Sequence, residues 1–156
     1  MKILGIDPGY GILGWSIVDS SMKIIAYGTL QTSSKQRIDE RLSDLYRGLL
    51  HVVKTYEPEC AAVEKLFFSR NTTTALDVAK TLGVVLLTFH LSGLDYAEYA
   101  PVQVKRAITG YGRATKEQMQ KMIMKIFAIK EIPKPDDAAD AVAIAACHAF
   151  NMNVRF

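Results

Sequence analysis

Apolar and polar positions along the chain divide it into alternating and helical stretches. Residues 2 to 7, 12 to 19 and 22 to 30 are rich in Ile, Leu, Val, Tyr and Trp, and the turn sequences "DPGYG" and "SSM" separate them. That pattern predicts three consecutive strands in an antiparallel meander. Leu42, Leu45, Tyr46, Leu49, Val52, Val53 and Tyr56 then recur at helical spacing, with Pro58 just past the expected end. "CAAVE" (60 to 64) reads as a short buried strand, "KLFFSRN" as a loop, and 72 to 91 as a second helix with Asn71 as its cap. A fifth strand is expected at 95 to 100. Shorter helices are expected at about 101 to 109 and 115 to 129, and a last helix near Asp137. Strands first, then alternating helix and strand, predict a mixed α/β sheet covered by helices.

Within that frame some charges are out of place. Strand alternation puts Ile3, Gly5 and Asp7 on one face, so an apolar strand ends in a carboxylate, and Gly5 leaves room for another element to approach. The short strand repeats the arrangement, with Cys60, Ala62 and Glu64 on one face. A strand that follows a helix tends to lie parallel beside the first, so Asp7 and Glu64 are expected at the same sheet edge, where open α/β sheets place ligands. The stretch "DDAADAVA" (136 to 143) opens the last helix. Asp137 with Asp140, or Asp136 with Asp140, can share one helical face. Asp136 is read as the helix cap, which leaves Asp137 and Asp140 to face the sheet.

Four converging carboxylates need cations: two of them about 4 Å apart repel by roughly 4 kcal/mol at an effective dielectric near 20. Oxygen-only donors suit Mg²⁺, with Mn²⁺ as a substitute, and two such ions support phosphodiester hydrolysis.

Composition narrows the partners. The 156 residues are 49% hydrophobic, enough to bury a core, and the net charge is +3. Between Pro101 and Pro135 lie eight basic residues (Lys105, Arg106, Arg113, Lys116, Lys121, Lys125, Lys130, Lys134) against Glu117 and Glu131, a local net of +6 that fits a polyanion. The first apolar stretch is too short for a signal peptide, and the run "GVVLLTF" is far short of a membrane span. Cys60 and Cys147 lack metal or redox spacing and read as reduced core residues of a cytoplasmic protein.

Four motifs in order resemble the RuvC family of Holliday junction resolvases, of the ribonuclease H-like superfamily: "GIDPG", "AVEKLFFSRN", "APVQVKRAITGYGRATK" and "DAADAVAIA". The resemblance runs through nearly the whole chain. It implies a single nuclease domain over 1–156 with a five-stranded mixed sheet flanked by helices on both faces. It also implies a homodimer that nicks four-way DNA junctions symmetrically with Mg²⁺, two ions per site. By matching position, Asp7, Glu64, Asp137 and Asp140 are the catalytic, metal-binding acids, and Lys105 and Lys116 lie near the reacting phosphate. Phe67 matches an aromatic wedge at the junction centre, and Arg70, Arg106 and Arg113 join the DNA-binding set. The branch-migration proteins RuvA and RuvB are implied partners. On the second helix, Leu82, Val85, Leu86 and Phe89 are the expected dimer face. Two rival readings stand beside this one: an RNA-processing or hybrid-cutting nuclease of the same superfamily, and a non-catalytic junction-binding scaffold.

Overall fold

The structure is a computed structural model that describes residues 1–9, 11–66 and 72–153. Strands β1 (Lys2–Asp7), β2 (Ile12–Asp19) and β3 (Lys23–Gln31) form the meander, followed by helix α1 (Ile38–Tyr56), strand β4 (Cys60–Glu64) and helix α2 (Thr72–Leu91). Strand β5 (Tyr96–Tyr99) and helices α3 (Pro101–Thr109), α4 (Lys116–Ile126) and α5 (Asp136–Asn153) complete the chain. The open sheet has the order β3-β2-β1-β4-β5. Its meander is antiparallel, while β4 runs parallel to β1 and β5 parallel to β4. Among the described residues, element types match the sequence pattern. The largest boundary shift is at α4, which stops at Ile126 because Ala128 adopts a left-handed φ of 50° that no helix can continue through.

Alternation along the strands sorts the core into two layers. Leu4, Ile6, Ala61 and Val63 point toward α1 and α2, where Leu45, Leu49, Val52, Val85 and Phe89 meet them. Ile3, Val18, Cys60 and Ala62 point the other way, against Val104, Ile123 and the small residues of α5. Both cysteines are free and buried in this second layer, as their apolar settings predict.

Helix α2 departs from the expectation about membrane-length segments. Its stretch Thr74–Leu91 is long and apolar enough to cross a membrane by length and composition, and it is the only such helix among the described residues. One side of it is nonetheless core: Val85 is 1% exposed and Phe89 0%. The expected placement of these two residues on a dimer face is therefore corrected, since both pack inside the protomer. Leu82 and Leu86 are half-buried against the same layer. The outward stripe consists instead of Leu76 (59% exposed), Leu87 (53%) and Leu91 (63%), with Gly83 between them facing open space.

Helix α5 lies unusually close to the sheet, and two glycines are the reason. A methyl group on Gly5 would collide with the Ala141 carbonyl and come within 2.9 Å of the Ala145 methyl. One on Gly14 would collide with the Asp137 backbone and sit 3.1 Å from its Cβ. From Ala138 to Cys147, apart from Asp140, the helix is buried, and its alanines allow this approach.

Candidate active site

The register of the sheet brings the first two acids together. Ile6 pairs with Val63 across the parallel β1–β4 ladder, so Asp7 and Glu64 leave the ends of adjacent strands, whose axes lie about 4.8 Å apart. On the other side of β1, Asp7 pairs with Gly14. Because the first turn of α5 rests on Gly14, Asp137 is held over the same end of β1. Asp140 follows one turn later and lines, with Glu64, a groove of about 300 Å³ whose other walls include Val104, Lys105, Lys116, Met119 and Ile144. Two strand ends and a helix head thus supply four carboxylates to one place.

Asp7, Glu64 and Asp140 are all held above the ordinary carboxylate range. Burial, then the charges of Glu64, Asp140 and Asp137, push the Asp7 carboxyl up to about 7, against an opposing pull from Lys116. Glu64 is raised by burial and by Asp140, with Lys105 acting in the opposite direction. Asp140 is raised chiefly by burial, and Lys116 opposes this. Burial therefore makes each of these three carboxylates resist ionising, nearby acids add to the effect, and two lysines only partly compensate.

Among the described residues, no three His, Cys, Asp or Glu side chains close into a ready-made ligand cluster. The donor set still fits a hard divalent cation. It is all oxygen, and it carries an excess of negative charge at a partly buried sheet edge, which a cation would neutralise.

Asp136 is not the helix cap. It is the first residue of α5, while the Pro135 carbonyl accepts from the Ala138 and Ala139 N–H groups. Its carboxylate pairs with Lys116 at 2.7 Å, and that hydrogen bond is the main reason the Lys116 ammonium is raised. With Asp136 drawn toward α4, Asp137 and Asp140 are the pair left at the sheet. Lys105 arises from α3, which begins straight after β5 with Pro101 in its first turn and the Gln103 side chain accepting from the Ala100 N–H at 2.8 Å. Lys116 begins α4 behind the Thr115 cap, whose hydroxyl accepts from the Gln118 N–H at 3.2 Å. Arg106 and Arg113 are exposed and do not line the groove. Phe67, Arg70 and Asn71, the expected cap of α2, lie outside the described residues. Sequence reasoning missed Gly14 as the seat of Asp137 and Asp136 as the ion partner of Lys116. A glycine in the middle of the strand pattern "ILGWSIV" was the available signal for the first.

Among solved structures, T. thermophilus RuvC in complex with Holliday junction substrate matches with a TM-score of 0.92 at 36% identity, covering 97% of this chain and 94% of that one. The yeast mitochondrial Holliday junction resolvase Ydc2 shares the fold, with a TM-score of 0.67 at 14% identity over 95% of this chain and 77% of its own. Sheet order and acid placement together define a ribonuclease H-like nuclease. The family model for crossover junction endodeoxyribonuclease RuvC matches residues 3–148. The crossover junction endodeoxyribonuclease RuvC of Desulforamulus reducens is 48% identical over 152 residues, 96% of this chain and 93% of that protein. That of Finegoldia magna is 43% identical over 159 residues, 100% and 97% of the two chains. This chain belongs to the crossover junction endodeoxyribonuclease RuvC family.

Proposed function

We propose that this protein resolves four-way DNA junctions, in recombination and repair in the cytoplasm, by paired symmetric nicks that leave 5′-phosphate and 3′-hydroxyl ends. The observation that carries the reading is the meeting of Asp7 and Glu64 with the head of α5 beside a groove walled by Lys105 and Lys116. Asp7, Glu64, Asp137 and Asp140 would hold two Mg²⁺ ions, or Mn²⁺ in their place. When bound, these ions supply activation of a water and charge neutralisation at the phosphate. Lys105 and Lys116 orient the scissile strand by its phosphates and offset the charge that develops in the in-line displacement. Asp136 holds Lys116 at the groove mouth. Phe67 and Arg70 act at the junction centre, and Arg106 and Arg113 contact the arms.

One nuclease domain over 1–156 carries one site, and two symmetric nicks require two. The homodimer forms through the outward stripe of α2, where Leu76, Leu87 and Leu91 are exposed on the face that carries Gly83. RuvA and RuvB deliver the junction.

Competition among a four-way DNA junction, a linear duplex and an RNA–DNA hybrid tests the substrate. Preferential cutting of the junction is the expected result, and preference for the hybrid overturns it. A scaffold that binds but never nicks is distinguished by the same gel.

A further inference from the structure

Helix α4 carries basic side chains on two sides, and the catalytic groove uses one of them. Lys116 and Met119 face the groove, whereas Lys121 and Lys125, one turn apart, lie about half a turn away around the helix. They line a separate open cleft of about 290 Å³, closed on its far side by Thr109 and Tyr111. Tyr111 is 58% exposed, a large aromatic held outward by a fixed turn. Gly110 takes a φ of 78°, the Tyr111 N–H donates to the Thr109 hydroxyl at 3.1 Å, and that hydroxyl lies 2.8 Å from the Lys105 carbonyl. The turn is therefore anchored to the helix that carries Lys105 into the groove. Lys121 shares its charge with Glu117 at 2.6 Å, while Lys125 makes no ion pair among the described residues.

We infer that this cleft is a second DNA site, which takes the sugar–phosphate backbone of a junction arm after it leaves the groove across the 109–115 turn. Lys125 and Lys121 meet phosphates, and the Tyr111 ring packs on a deoxyribose with its hydroxyl free to donate to a phosphate. Charge identifies the occupant: two lysines beside an exposed phenol, in the stretch of the chain with a net of +6, favour a polyanion over an apolar or basic partner. The inference rests on the junction-resolving reading and adds arm contacts to it.

The test compares Lys125→Ala, Lys121→Ala/Lys125→Ala, Tyr111→Ala and Tyr111→Phe with the wild type. Junction affinity is measured without Mg²⁺ across a salt series, and kcat at saturating junction with Mg²⁺. The arm site predicts affinity several-fold weaker for Lys125→Ala, with the salt slope reduced by about 1, and a slope reduced by about 2 for the double variant. It also predicts unchanged kcat and a smaller loss for Tyr111→Phe than for Tyr111→Ala. Shortening the junction arms should weaken the wild type to the level of the double variant and leave the variant unaffected. Wild-type affinity and slope in the variants, or a loss confined to kcat, overturns the arm site while leaving the nuclease reading intact. A wild type that neither binds nor cuts the junction removes both.

Discussion

Asp137 sits with its backbone where a side chain on Gly14 would be, and Gly14 is the cross-strand partner of Asp7. That one contact sets the distance between the head of α5 and the end of β1, and so how closely Asp137 and Asp140 approach Asp7 and Glu64. Gly14→Ala forces the first turn of α5 outward. The expected result is cleavage reduced at least 100-fold with junction affinity within a few-fold of wild type, and a stability loss of about 1–3 kcal/mol from overpacking. Nicking rates and thermal unfolding of the same preparation check it.

The raised Asp7 carboxyl makes a prediction about pH. Its folded value of about 7 lies above the ordinary 3.8, so ionising it disfavours the folded state. Without metal, that penalty is absent below about pH 4, grows between about pH 4 and 7, and is constant above. The gap between the two values sets its ceiling at about 4 kcal/mol. Asp7→Asn should thus raise the melting temperature of the metal-free protein at pH 8 and leave it unchanged near pH 4, while abolishing cleavage at any pH. A divalent cation should stabilise the wild type more than this variant. Melting curves at the two pH values, with and without Mg²⁺, decide it.

The two neighbouring aspartates should behave differently. Asp136→Asn loses an exposed ion pair to Lys116, worth about 0–1 kcal/mol, and should retain cleavage within a few-fold. Asp137→Asn and Asp140→Asn should each reduce the single-turnover rate by at least 100-fold. An Asp136 variant as inactive as the other two would place the site one residue earlier.

Helix α2 has two faces with separate consequences. Phe89→Ala empties a fully buried site and should cost about 3–5 kcal/mol of stability. Leu87→Glu changes an exposed position and should convert a dimer to a monomer at micromolar concentration with little effect on protomer unfolding. Sedimentation velocity and chemical denaturation separate the two effects.

Much of this architecture is legible in the chain because period and face coincide. Ile3, Gly5 and Asp7 alternate with Leu4 and Ile6, and the structure turns the first set to α5 and the second to α1 and α2. The parallel placement of β4 beside β1, and hence of Glu64 beside Asp7, follows from strand–helix–strand connectivity. Helix α2 is harder to read. Its apolar residues surround the helix, so periodicity does not say whether Val85 and Phe89 or Leu87 and Leu91 face the sheet. The cap assignment of Asp136 fails for a related reason. Spacing places carboxylates on a helix face, but the cation that attracts one of them, Lys116, is twenty residues away in sequence and adjacent only after α4 docks. Gly14 likewise gains meaning only from the helix that lies on it.

The decisive measurement is a denaturing gel of a four-way junction labelled on opposite strands and incubated with the purified protein, with and without Mg²⁺. A metal-dependent resolvase built on Asp7 nicks both labelled strands at symmetry-related positions. Those nicks are ligatable without processing, depend on the cation and are lost in Asp7→Asn. Nicks that persist without divalent cation, or that survive in Asp7→Asn at the wild-type rate, would contradict it.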